Sequence, residues 1–171
     1  GAVKPPLYLA EFIDLVDQHP NTMFIWCHAG ISRRIKVANL PKIIDDFLTE
    51  KQRYKHVFID LSWVVYDDYI YSERKGVDNR DVWAQLVEKY PTTFMMGSDK
   101  VGKFNGYAKE LDRFIPFLET LAERQNGEGL IKGFVDTNFS YLMLELRKKR
   151  GGSGVVLDPS YRYSETKFVI D

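Results

Sequence analysis

The segment TFMMGSD, residues 93–99, decides the fold. It begins as a short, nearly continuous apolar run and ends in a glycine followed by Ser98 and the acid Asp99. Apolar runs of this length are typical of strands that are buried on both faces of a parallel sheet. The carboxyl end of such a strand is the edge at which α/β proteins carry their binding and catalytic groups. The segment therefore predicts a parallel strand with a functional side chain at its end.

Two earlier segments have the same design. Residues 23–28, MFIWCH, form an apolar run that ends in His28. Residues 57–63, VFIDLSW, are apolar except for Asp60 and Ser62. Three successive strands with polar carboxyl ends predict a shared site at one edge of a sheet, because burying an unpaired charge is costly.

Side-chain alternation refines this prediction. Alternate residues of a strand lie on the same face, so Trp26 is expected to share a face with His28, and Asp60 with Ser62. Three strand ends then direct His28, Asp60 and Asp99 to one point. The alternative role of a strand-end histidine is a structural hydrogen bond, and that of a strand-end aspartate is a cap on the following helix.

Helical stripes separate the three strands. Apolar side chains recur at helical spacing in residues 9–16, 40–48, 82–90 and 107–118, and residues 130–146 also have a helical pattern. Alternating helices and strands predict a parallel sheet with helical crossovers, either an open doubly wound sheet or part of a closed (β/α)8 barrel. No glycine-rich phosphate motif follows the first strand, so the sequence does not support a nucleotide-binding fold.

The charge balance and the apolar runs argue against two classes of partner. The chain has 24 basic and 24 acidic residues, whereas nucleic-acid-binding domains normally carry a basic excess. No apolar run approaches the roughly 18 residues that span a membrane. We therefore expect neither a nucleic-acid nor a membrane partner.

The single cysteine, Cys27, excludes an internal disulfide and favours a reducing compartment such as the cytoplasm. A leader peptide that has been removed is left open as an alternative.

Taken in order, the three strand segments resemble a known family. The sequences FIWCHAG (24–30), HVFIDLS (56–62) and FMMGSD (94–99) are similar to the last three barrel strands of the amidohydrolase superfamily. The most similar group is the amidohydrolase-related metal-dependent hydrolases that include the aminocarboxymuconate-semialdehyde decarboxylases. The resemblance extends over about residues 5–145. It implies a partial TIM-type (β/α)8 barrel in residues 1–150, followed by a flexible linker and tail in residues 151–171.

The resemblance also implies roles for the strand-end residues. Asp99 would be a metal ligand that holds or deprotonates an attacking water, and His28 would polarise the scissile group or orient that water. Asp60 would line the pocket. The implied cofactor is a divalent metal, zinc first and manganese second, which we expect this chain alone to bind weakly or not at all. The implied reaction is hydrolysis or non-oxidative decarboxylation of a small molecule.

Neighbouring residues provide candidate substrate contacts. Arg33 and Arg34 follow the histidine strand and suit bidentate binding of a substrate carboxylate, with a solvated surface loop as the alternative. Lys100 follows the last strand and suits an anion, again with a solvated loop as the alternative. Trp63 is expected either to form a wall of the pocket or to pack in the core.

The chain departs from the family pattern in one respect. The family carries a His-x-His pair on its first strand, whereas the only histidines here are His19, His28 and His56. A barrel of this type needs about 250 residues, so this chain supplies about three strands of eight. We expect a catalytically incomplete C-terminal half that is completed by a missing N-terminal half or forms a homo-oligomer. The alternative is a non-catalytic α/β binding or assembly module that keeps the scaffold without the metal site.

Overall fold

The computed structural model describes residues 7–99, 112–140 and 142. These residues form a mixed α/β structure with one three-stranded parallel sheet and one two-stranded hairpin. The helices are α1 (Leu7–Gln18), α2 (Leu40–Thr49), α3 (Arg80–Lys89), α4 (Ile115–Ala122) and α5 (Gly127–Lys132). The strands are β1 (Phe24–Trp26), β2 (Val57–Asp60), β3 (Tyr71–Ser72), β4 (Val77–Asp78) and β5 (Phe94–Met95).

Shorter segments connect these elements. Cys27–Gly30 and Glu50–Lys55 are tight turns that contain residues with left-handed backbone, Glu73–Lys75 is a 3-10 segment, and Tyr66–Ile70 and Gly133–Thr137 are π-helical segments. Lys100 and the tail 151–171 lie outside the described residues. Within the part of the chain that is described, no helix has both the length and the apolar character needed to cross a membrane.

The parallel sheet has the order β1-β2-β5, which is the order of the strands along the chain. Trp26 pairs with Ile59, and Ile59 pairs with Phe94. The prediction of parallel strands joined by helical crossovers is thus confirmed. Because such crossovers are almost always right-handed, strands added in chain order place their helices on the same face of the sheet.

The core lies between that helical face and the strands. The ring of Trp26 stacks on Phe12 of α1 at 4.9 Å and meets Phe47 of α2 edge-on at 5.1 Å. Ile59 and Phe94 on the same face are fully buried. The opposite face carries a smaller cluster of Phe58, Met95 and Leu142, with Met23 packed against it. On that side Ile25 of the edge strand β1 remains 45% exposed.

The two edges of the sheet differ. The outer edge of β5 is bonded to the Gly133–Thr137 region, where the Met96 amide donates to Phe134 O at 2.9 Å and the Asn138 side-chain amide donates to Phe94 O at 2.8 Å. No described residue pairs with the outer edge of β1. The outer edge of β1 is therefore open among the described residues, whereas that of β5 is occupied.

Two connections contain further structure. The polar stretch 66–79 contains a π-helical turn and the β3-β4 hairpin, in which Gly76 adopts φ 64°. The helix expected around Pro116 begins at Ile115, where a proline in the first turn loses no helical hydrogen bond. Residues 107–111 of that predicted helix lie outside the described residues.

A buried ion pair joins α1 to the segment after α2. The guanidinium of Arg53 is 1% exposed, and it donates from Nε and Nη2 to the two oxygens of Asp17, each at 2.9 Å. Its Nη1 also donates to Phe47 O at 3.0 Å. Hydrogen bonding by Arg53, reinforced by Lys51, holds the pKa of Asp17 well below its usual range despite the opposing effect of burial. This pair fixes the helical layer behind β1.

Candidate functional site

His28 reaches the carboxyl edge of the sheet through a left-handed turn. The strand β1 ends at Trp26, and His28, Ala29 and Gly30 then adopt φ values of 54°, 48° and 72°. The Ile31 amide closes the turn by donating to His28 O at 2.9 Å. A Cβ at Gly30 would lie 2.6 Å from Nε1 of Trp26, so this position requires glycine.

This turn shows that the predicted orientation of His28 was wrong, although the predicted contact with Asp60 is present. Trp26 faces the helices, and the alternation rule would have placed His28 on that same side of the sheet. The reversal at Cys27–Gly30 instead brings the His28 ring to Asp60. The predicted meeting of His28, Asp60 and Asp99 is therefore correct, although the route predicted for His28 is wrong.

Asp60 and Ser62 form a compact hydrogen-bonded pair at the end of β2. The Ser62 amide donates to Asp60 Oδ1 at 3.1 Å, and the Ser62 hydroxyl donates to Asp60 Oδ2 at 2.6 Å. The His28 amide donates to Asp60 Oδ2 at 3.4 Å. Ser62 is only 1% exposed, so its hydroxyl is shielded from water.

The imidazole of His28 lies between this pair and Asp99. Its Nδ1 is 3.0 Å from Ser62 Oγ and 3.4 Å from Asp60 Oδ2, and its Nε2 is 3.5 Å from Asp99 Oδ1. The exposed fractions of the side chains are 22% for His28, 17% for Asp60 and 39% for Asp99. The site thus has a sheltered end at Ser62 and an accessible end at Asp99.

Gly97 makes room for Asp60. A Cβ at residue 97 would overlap Asp60 Oδ1 and come within 3.2 Å of Ser62 Cβ. Sequence reasoning noted Ser62 as a polar strand-end residue and the glycine of the last strand, but it assigned neither a role in the site. A glycine inside a strand pattern often marks a close approach of another group, and this signal was available for Gly97.

Four of the seven non-glycine residues with positive φ in the described part of the chain lie at the same edge. Trp63 and Asp99 have φ values of 55° and 50°, and with His28 and Ala29 they make four non-glycine residues in the left-handed region after the three parallel strands. Each such residue costs of order 1 kcal/mol and is retained where the surrounding structure enforces it. Strain of this kind clusters at binding and catalytic sites.

An aromatic and cationic wall lies beside the histidine. The Trp63 ring meets the His28 ring edge-on at 5.3 Å, and the Arg33 guanidinium lies 5.2 Å from the centre of the Trp63 ring. The side chain of Arg33 is exposed and has no acidic partner among the described residues. Arg34 is also exposed, but only its backbone amide is bonded locally, to Ser32 Oγ at 3.2 Å. The structure thus brings Trp63 and Arg33 to the site and leaves Arg34 on its loop.

Cys27 is next to the site but is not activated as a nucleophile. Partial burial of the thiol, and then the negative charges of Asp60 and Asp99, raise its pKa. A reactive cysteine needs the opposite environment, because the thiolate is the nucleophile.

The geometry fits two ligands of a divalent metal. Zinc binds histidine nitrogen and carboxylate oxygen at about 2.1 Å, which separates two tetrahedral ligand atoms by roughly 3.4 Å. The 3.5 Å between His28 Nε2 and Asp99 Oδ1 matches that separation. A catalytic zinc site has three protein ligands, and the described residues contain no group of three or more candidate metal ligands. The described residues therefore match at most part of such a site.

A concavity lies elsewhere on the described part of the chain, and His28 is not among its lining residues. It is a shallow groove of about 450 Å³ lined by Lys36, Val37, Asp68, Tyr69 and Lys75, among others. Lys36 Nζ lies 2.8 Å from Asp68 Oδ2, and Lys75 bonds to the other oxygen of the same carboxylate. Hydrogen bonding by the two lysines lowers the pKa of Asp68. The polar groups of this groove are largely paired with one another, so we place the chemistry at His28.

A comparison of the chain with protein-family models, with curated proteins and with solved structures found no match.

Proposed function

We propose that this chain is the C-terminal part of a metal-dependent hydrolase, or non-oxidative decarboxylase, of the amidohydrolase superfamily. The observation that carries the proposal is the pair formed by His28 Nε2 and Asp99 Oδ1, 3.5 Å apart at the accessible end of a hydrogen-bonded strand-end cluster. Asp99 would be the metal ligand, and His28 would be either a second ligand or the group that orients the attacking water.

The chain's own residues then have separate tasks. When bound, a divalent ion such as zinc would lower the pKa of its water to near neutrality. If His28 is not itself a ligand, its Nε2 accepts or returns a proton beside Asp99. Arg33, held over Trp63, binds a substrate carboxylate, for which its planar guanidinium suits bidentate contact. The substrate class is therefore a small molecule that carries a carboxylate.

The sheet supports the proposal of a partial (β/α)8 barrel. Its strands follow chain order, the main core lies on their helical face, and the strand-end residues gather at the carboxyl edge, where barrel enzymes place their sites. The unpaired outer edge of β1 and the exposed Ile25 are where a preceding strand would add. Either an N-terminal half or a second copy of the chain would supply that strand.

One observation favours the alternative, a non-catalytic α/β binding or assembly module. The bonds from Met96 and Asn138 occupy the outer edge of β5, which a closed barrel would offer to its first strand. In that case the cluster of His28, Asp60 and Asp99 would cap the strand ends and bind no metal.

A zinc titration followed by calorimetry separates the two functions. The proposal predicts that the protein completed by its N-terminal half or by a second copy of the chain binds Zn2+. Asp99→Asn and His28→Gln should each weaken that binding by about tenfold or more, because loss of a ligand or of its supporting group has effects of this size. The control is Asp46→Asn, which changes an exposed carboxylate of α2 that pairs with Lys42. Equal affinities in all four completed proteins, or no binding by any of them, would favour the non-catalytic module.

A further inference from the structure

We infer that Ser62 and Asp60 are positioning residues that hold His28 in the tautomer with its proton on Nδ1, so that the Nε2 lone pair faces Asp99. This inference deepens the proposed function. Only the role of Nε2 as a metal ligand or base rests on that function. The tautomer itself follows from the hydrogen bonds of the described residues.

The direction of the hydrogen bonds is set by counting protons. An ionised carboxylate only accepts, and a serine hydroxyl has a single proton. The 2.6 Å contact between Ser62 Oγ and Asp60 Oδ2 commits that proton to Asp60. The hydroxyl can then offer only a lone pair to His28 Nδ1 at 3.0 Å, so Nδ1 is the donor.

The geometry around the carboxylate prevents the reverse arrangement. Asp60 Oδ1 already accepts the Ser62 amide, and Asp60 Oδ2 accepts the His28 amide. The space for this carboxylate exists because residue 97 has no Cβ. Ser62 is buried, so water does not replace it as the partner of Nδ1.

The consequence is a defined basic atom at the accessible end of the site. A neutral imidazole has one donor and one acceptor nitrogen, and the hydrogen bond of one fixes the role of the other. With Nδ1 as the donor, the acceptor is Nε2, which lies 3.5 Å from Asp99 Oδ1. This is the arrangement that a metal ligand or a general base requires.

The tautomer is read directly by long-range proton–nitrogen NMR of the 15N-labelled protein at about pH 8.5, well above the ordinary histidine pKa of about 6.5. The chain has three histidines, and His28→Gln assigns the His28 signals by removing them. We expect a protonated Nδ1 and an unprotonated Nε2 in the metal-free protein. Protonation at Nε2 would overturn the inference.

Asp60→Asn tests whether the hydrogen bonds from His28 Nδ1 through Ser62 Oγ to Asp60 set the tautomer. An amide that keeps its oxygen toward the Ser62 amide turns its NH2 group toward Ser62 Oγ, so the hydroxyl would donate to His28 Nδ1 and the proton would move to Nε2. We expect the ratio of the two tautomers to change by about tenfold or more toward Nε2–H, since one net hydrogen bond is worth roughly that factor.

Asp46→Asn is the matched control and should leave the ratio unchanged, because Asp46 pairs with Lys42 on the surface of α2. An unchanged ratio in folded Asp60→Asn would also overturn the inference. If that variant fails to fold, the wild-type spectrum still decides. Because no metal is added, the experiment tests the tautomer of His28 independently of the proposed hydrolase function.

Discussion

Gly97→Ala is expected to lower the free energy of unfolding by about 2 kcal/mol and to displace Asp60 from Ser62. An added Cβ would overlap Asp60 Oδ1, and insertion of a methyl group into a filled site typically costs about 1–3 kcal/mol. The displaced carboxylate would release the Ser62 hydroxyl and with it His28 Nδ1. Chemical denaturation gives the stability change, and the His28 ring signals report the site.

The double variant Gly97→Ala with Asp60→Ala identifies the cause. In the wild type, Asp60→Ala should cost about 1–3 kcal/mol, because it leaves the buried Ser62 donors without their acceptor. In the Gly97→Ala background the same change removes the overlap and should cost much less. Simple additivity of the two effects would show that Gly97 matters for another reason.

Arg53→Met is expected to cost about 3 kcal/mol of unfolding free energy. The substitution leaves the carboxylate of Asp17 largely buried and paired only with Lys51, and removal of one partner from a buried ion pair typically costs about 3–5 kcal/mol. Denaturant unfolding measures the effect. Lys42→Met is the matched control, because Lys42 and Asp46 form an exposed pair one helical turn apart. It should cost less than about 0.5 kcal/mol, and equal costs for the two variants would contradict the buried-pair account.

The same pair predicts a pH dependence. The pKa of Asp17 is lowered in the folded state, so the pair stabilises the protein above the unfolded-state pKa of about 3.9, and this contribution is lost as the pH falls below it. The stability difference between the wild type and Arg53→Met should be constant above about pH 5 and shrink in more acidic solution. Unfolding curves between about pH 3 and pH 7 test this, and a difference that grows on acidification would contradict it.

The sequence was sufficient to predict the parallel strands and the meeting of their polar ends. The apolar runs end in His28, Asp60 and Asp99, and parallel strands bring their carboxyl ends to a common edge. The clustering of these ends can therefore be predicted without the loop conformations. The stop of α3 before Pro91 was equally visible, since proline cannot continue a helix.

The detailed site could not be predicted, because it depends on backbone conformations with weak sequence signals. His28 and Ala29 are left-handed without being glycine, and only Gly30 hinted at a turn there. The contact of Ser62 with His28 spans 34 positions in the chain, so no local pattern encodes it. The hairpin near Gly76 has strands of two residues, which are too short to show alternation.

The choice between a barrel segment and an open sheet also exceeds what three strands can determine. Both architectures contain parallel strands in chain order with their helices on one face. The outer edges of β1 and β5 distinguish the two architectures. The open edge of β1 favours a barrel segment, and the occupied edge of β5 favours an open sheet. The chemistry of the site is therefore a more direct test than the topology.

The most direct measurement is anomalous X-ray scattering at the zinc absorption edge from crystals of the completed protein grown with Zn2+. The account predicts a peak about 2.0–2.2 Å from an oxygen of Asp99, with His28 Nε2 as a second ligand or within hydrogen-bonding distance of a bound water. The peak should disappear in Asp99→Asn. Zinc bound only at other residues, with His28 and Asp99 still 3.5 Å apart and no ion beside them, would contradict the account.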